Sequence, residues 1–150
     1  MLFKTFKRLA IVFHFLCMVA VVVEAAGERL ESVQAVRALS RESANQNLPV
    51  RLVAVVTLYN PDNTDLMLSD GSNGLFVLDP EVDSPSGSLQ QGDRVLVEGQ
   101  TVFGGFIAAV ENAKITYLHS GEVLRPRQLE ASELMSPPLT LAWVEIPALI

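Results

Sequence analysis

The chain is predicted to be mainly β: a small five-stranded barrel with one or two short helices in front of it and a signal peptide ahead of those. Three observations predict this. Residues 49–57, PVRLVAVVT, and residues 66–78, LMLSDGSNGLFVL, are apolar, β-rich runs, the second divided by an Asp-Gly pair of the kind that turns a hairpin. Residues 93–102 alternate apolar and polar, and Gly104-Gly105 turns the chain into another such run over 106–118. Five strands, the first of them long, fit a closed barrel better than a flat sheet, which would leave its edges exposed.

Residues 1–26 stand apart from that fold. Lys4, Lys7 and Arg8 give a positive start, residues 9–23 are apolar except at His14 and Cys17, and Val23-Glu24-Ala25 resembles a processing site. As a helix the run rises about 22 Å, less than the ~30 Å of a hydrocarbon core. It is therefore expected to be a cleaved secretory signal, with a retained membrane anchor over residues 9–23 as the alternative. The expected location is extracytoplasmic, periplasmic or secreted, and the membrane is a partner only if the segment is retained. Cys17 follows Leu16, not the small residue that a lipoprotein signal requires, and the rest of the chain has no cysteine. Disulfide and thiolate chemistry are thus excluded from the exported part. Taking Lys4, Lys7, Arg8 and Glu24 away from 11 basic and 17 acidic residues leaves a net charge of −8. Such a surface repels phosphate backbones, which argues against nucleic acid as a partner.

Residues 27–48 read as a helical lead-in. Leu30, Val33, Val36 and Leu39 recur every third residue along one stripe. Ser40 can cap a second helical turn with Glu42 near its positive end, and Asn45-Gln46-Asn47 followed by Pro49 ends it. Residues 49–120 are the barrel. Its first strand places Val50, Leu52, Ala54, Val56 and Leu58 on one side and Arg51, Val53, Val55 and Tyr59 on the other. A strand apolar on both sides is buried on both, or bends so that each half serves a different sheet. Residues 60–63, Asn-Pro-Asp-Asn, form a turn, and residues 66–68 and 75–78 are short strands. Residues 79–92, with two prolines, two glycines and three serines, are expected to be a surface loop. Val95 and Val97 face in from the next strand, and Glu111-Asn112 marks a bulge in the last one. Residues 121–142 are a linker with a short helix.

Residues 143–150 echo the first strand, so that VEIPALI repeats the pattern of VRLVAVV, and they read as the first strand of an incomplete second repeat. Trp143, Ile146 and Leu149 would then offer an apolar edge to a partner.

Taken together, PVRLVAVVT, LMLSDGSNGLFVL, QQGDRVLVEGQT and the closing WVEI resemble the extracytoplasmic OB-fold repeat of bacteria, found ahead of sensor histidine kinases and diguanylate cyclases. The resemblance covers roughly residues 30–150 and implies an OB-like barrel. Ala54 stands where the family usually has glycine, and the 79–92 loop replaces the helix between strands three and four of the classical barrel. The helix around residues 33–44 is expected to cover the open barrel end instead. OB folds bind on the face of strands two and three and on the flanking loops, which the resemblance places at Tyr59, Met67, Phe76, Phe103 and Phe106.

Catalytic chemistry has little to stand on. His119 is the sole histidine past residue 26, no G-x-S-x-G elbow occurs, and no motif pairs two carboxylates. Asp62, Asn63, Asp65 and Asp70 match no EF-hand spacing and serve turns equally well. No metal, cofactor or enzyme activity is expected. The expected role is an exported, non-catalytic binding or interaction module, of the sensor-input type and without an output domain, for a protein or small ligand. The alternatives are a truncated fragment of a longer sensor protein and a nucleic-acid or sugar-binding accessory.

Overall fold

Two serines open the structured part. Ser32 Oγ accepts the Ala35 N–H at the start of α1 (Val33–Arg37), and Ser40 Oγ accepts the Ser43 N–H at the start of α2 (Arg41–Ala44). The computed structural model describes residues 29–130, 132–133, 141 and 143–147, so the signal segment lies outside the described residues. Val33 and Val36 are wholly buried in the barrel core, where the stripe of three predicted them, and Ala44 of α2 is buried beside them. Leu30 packs there too, but from extended chain: its N–H donates to the Pro49 carbonyl, and its own carbonyl accepts the Arg51 N–H.

The strands are β1 (Pro49–Asn60), β2 (Asp65–Ser69), β3 (Gly74–Leu78), β4 (Glu81–Asp83), β5 (Arg94–Phe103) and β6 (Ala108–His119). Neighbours run β3-β2-β1-β5-β6, and Val77 of β3 bridges Val110 of β6 in parallel, so five strands close in a ring. All other neighbours within the ring are antiparallel. As a strand apolar on both sides requires, β1 is shared: its first half pairs with β5 and its second with β2, the two meeting at Val55. α1 contacts β1, β3 and β6, and α2 contacts β5 and β6.

Residues 79–92 are not loop throughout, as expected, because they begin with β4. β4 runs parallel to β6 with Glu81 opposite Lys114 and Asp83 opposite Thr116. This continues the offset set by Val77 and Val110, so β3 and β4 are two halves of one strand laid along β6. Asp79, at a φ of 45°, kinks the strand between them, and its Oδ1 accepts the Thr64 hydroxyl at 2.8 Å. Pro80 has no N–H to give to a ladder, and β4 lies at the edge of the sheet, where proline is tolerated.

Three register slips bend the ring, one of them between Arg94 and Val95 at the start of β5. In β1 the register slips between Val56 and Leu58, and the extra residue, Thr57, donates its hydroxyl to the Met67 carbonyl at 3.0 Å. In the β5–β6 hairpin it slips between Glu98 and Gln100, opposite Asn112 with its positive φ of 50°, which is where the sequence marked a bulge. Gly99 sits inside that bend, where a β-carbon would come within 2.8 Å of Val110 Cγ1 and 2.9 Å of the Glu111 carbonyl.

Past β6, the Glu122 N–H donates to the Gly92 carbonyl. A separate parallel pair then forms from β7 (Arg127–Gln128) and β8 (Val144–Glu145). The Arg127 N–H donates to the Trp143 carbonyl and the Leu129 N–H to the Glu145 carbonyl, with Leu129 buried.

Candidate functional site

Strand pairing decides which side chains share a face, because residues directly opposite in an antiparallel ladder point the same way. Val56, Leu68 and Leu75 are opposite one another and face the core, as do Tyr59, Leu66 and Val77. Between these two inward rows the bulge at Thr57 turns Leu58 out, opposite Met67, which is itself opposite Phe76. The result is an outward apolar row of Leu58, Met67 and Phe76 running across three strands. Leu58 is 48% exposed, and Met67 and Phe76 are half-buried.

Strict alternation puts Leu58 on the same side as Val56, which faces the core, and Tyr59 on the opposite side. The bulge exchanges them: Tyr59 packs against the core, and Leu58 takes the outward place. The one signal available in the sequence was Thr57, a hydroxyl-bearing residue in the middle of an otherwise apolar strand.

On the outside of the hairpin, the remaining outward positions are Asp65 and Ser69 in β2 and Gly74 and Leu78 in β3, so none of its outward residues is a cation. The next outward row along the strands is Val55, Ser69 and Gly74, and it is buried. Over it lies the C-terminal segment: a β-carbon built at Gly74 would run into the Leu141 carbonyl.

The other two aromatic residues expected at the site are on the β5–β6 hairpin. Phe103 is half-buried against the core, with its N–H donating to Asn45 Oδ1 at 3.0 Å and the Arg41 guanidinium 4.5 Å from its ring centre. α2 therefore pins the base of this hairpin, since Arg41 also reaches the Gly105 carbonyl. Phe106, beyond the two glycines at the tip, is 71% exposed. Pairing joins Met67 and Phe76 into one row, whereas Tyr59 faces the core and Phe103 and Phe106 belong to a different hairpin. Of the residues expected to contact a partner, Trp143 and Ile146 flank β8 and are exposed, and Leu149 lies outside the described residues.

The polar residues weighed for chemistry are engaged in turns and ion pairs. Asp70 Oδ1 accepts the Ser72 and Asn73 N–H groups, and Asn60 Oδ1 accepts the Asp62 N–H. Among the described residues no group of three His, Cys, Asp or Glu side chains is placed to hold a metal. His119 is exposed, 3.9 Å from a Glu122 carboxylate that Arg94 holds at 3.1 Å. A cleft of about 220 Å³ opens between Pro85, Ser86, Gln90, Asp93, Tyr117 and Ser120. It is smaller than the ~300–1,000 Å³ usual for ligand pockets, and Asp93 Oδ2 in its wall accepts the Gln90 N–H. No helix among the described residues is long and apolar enough to cross a membrane.

No protein-family model matches the chain, and no curated protein matches it in sequence.

Proposed function

We propose that this chain is an exported, non-catalytic binding module of the OB type, and that the outer face of β1, β2 and β3 is where it takes its ligand. The ring order supports the OB reading: a five-stranded barrel in which the third strand meets the last while the first is shared between two neighbours is what that fold requires. β4 extends the third strand in the position where the classical fold has a helix. The positive start and apolar run of residues 1–23 support export.

The observation that carries the ligand face is the row of Leu58, Met67 and Phe76. The outside of a small antiparallel barrel is ordinarily the polar side of each strand. Here three strands in succession present apolar side chains there, and a soluble protein keeps such a row for contact. With no cation on the outer face of the hairpin and a net charge of −6 over the full chain, the ligand is a protein or other apolar molecule and not a nucleic acid.

A random-peptide selection against the purified chain, followed by titration of the selected ligands, tests this. Met67→Ser and Phe76→Ser are each expected to weaken binding about tenfold or more while leaving the fold intact, because aromatic and methionine contacts carry a large share of interface energy. Ligands that bind both variants as tightly as the native chain would remove the face from consideration.

A further inference from the structure

The row of Val55, Ser69 and Gly74 points outward yet is buried, with Val55 6% and Ser69 4% exposed. The backbone at Leu141 lies against Gly74 and covers one end of the row. Glycine at that place has a specific consequence. Its φ is not in the left-handed region, so the turn does not demand it. The missing side chain serves instead to let another backbone come down onto the sheet.

The segment that does so is lightly held. Among the described residues after Leu141, the strand pairing is the two-residue parallel ladder of β8 on β7, and the side chains flanking that ladder, Trp143 and Ile146, remain 40% and 38% exposed. A short strand held on one side by so few bonds is a low-stability element. Leu141 rests one row from the apolar row, since Gly74 and Phe76 are successive outward positions of β3, about 7 Å apart. An extended segment lying along Leu58, Met67 and Phe76 and continuing past Gly74 would fill the space that Leu141 occupies.

We infer that Leu141, at the head of a C-terminal strap that also holds residues 143–147, is a built-in occupant of one end of the ligand face, and that the partner is an extended apolar peptide segment of another protein which binds by displacing it. The inference rests on the outer face of β1, β2 and β3 being the ligand face, as proposed above. A peptide fits because Gly74 admits a backbone, because the adjoining row is apolar, and because the chain's own occupant of this place is the backbone of an apolar residue, Leu141. The strap sets a threshold: tethered to the barrel, it competes at the high effective concentration of an intramolecular group.

The test uses the full chain and two substitutions that act from opposite sides. Gly74→Val suits a strand but fills the space under Leu141. Glu145→Pro takes a backbone donor out of β8 and leaves the face untouched. Trp143 is the chain's single tryptophan, so its emission reports the strap directly, and both variants are expected to shift it to the red. A fluorescein-labelled peptide with the sequence of residues 139–147 is then titrated by anisotropy against each protein. It is expected to bind Glu145→Pro at least about tenfold more tightly than the native chain, and Gly74→Val more weakly than Glu145→Pro. Unchanged Trp143 emission in Gly74→Val, or equal peptide affinity for the native chain and Glu145→Pro, would overturn the inference. Adding Phe76→Ser to Glu145→Pro separates the two layers. Loss of the peptide supports both, whereas undiminished binding together with red-shifted emission would reject the ligand-face reading and keep the strap as an occupant of Gly74 alone.

Discussion

Thr101 shows how a single side chain joins the lead-in to the barrel. It is wholly buried, its Oγ1 accepts the Leu48 N–H at 3.0 Å, and its own N–H donates to the Leu48 carbonyl. Thr101→Val keeps the shape and removes the acceptor, leaving the part-buried Leu48 N–H unsatisfied at a cost of about 1–3 kcal/mol. Thermal unfolding is expected to show a melting temperature lower by about 5 °C or more. An unchanged value would mean that water satisfies Leu48 and that the lead-in is not docked there. Single residues were the scale at which sequence read best where burial followed from spacing, as for Val33, Val36, Val95 and Val97. It read worst at Leu58 and Tyr59, because a bulge is a property of the pairing between two strands. Alternation along one strand carries no trace of where the partner will slip. Met67 and Phe76 share one outward row because the β2–β3 ladder between them holds no such slip.

At the scale of elements, the β5–β6 hairpin is the largest piece of the sheet, and its bend depends on Gly99 standing opposite the bulge at Asn112. Gly99→Ala forces a methyl group between Val110 and the Glu111 backbone, which must move for it. The expected destabilisation is about 1–3 kcal/mol, read as a lower denaturation midpoint in urea with an unaltered slope. A midpoint equal to that of the native protein would show that the bend has room to spare. Both helices were legible from local signals, the first from its stripe of three and the second from Ser40, which accepts the N–H three residues ahead of it. β4 was not, since its three residues lie between Pro80 and Pro85 and its partner in β6 is distant in the chain. β7 is shorter still, and two residues are too few for any period to show, whereas β8 falls within residues 143–150, which the sequence reads as a strand.

For the whole molecule the governing fact is that β6 is paired on both sides, with β5 on one and with β3 and β4 on the other. Ring closure is therefore a non-local event, and refolding from urea is expected in the millisecond-to-second range typical of such β topologies, not in microseconds. Stopped-flow fluorescence of Trp143 would follow the strap and far-ultraviolet circular dichroism the barrel. A microsecond barrel phase would contradict the closed ring. The same pairing has a meaning in the order of synthesis. Once α1 has been made, β1, β2 and β3 follow and can zip locally, but the inward rows that they carry have only the short lead-in helices to lie against until the chain has been extended through His119. Until then the nascent protein is an open sheet with apolar valines and leucines on display, the state in which chains of this kind stick to one another. The barrel is thus a structure that its maker must keep waiting, and any factor that holds the emerging chain apart acts on the interval before the last strand arrives.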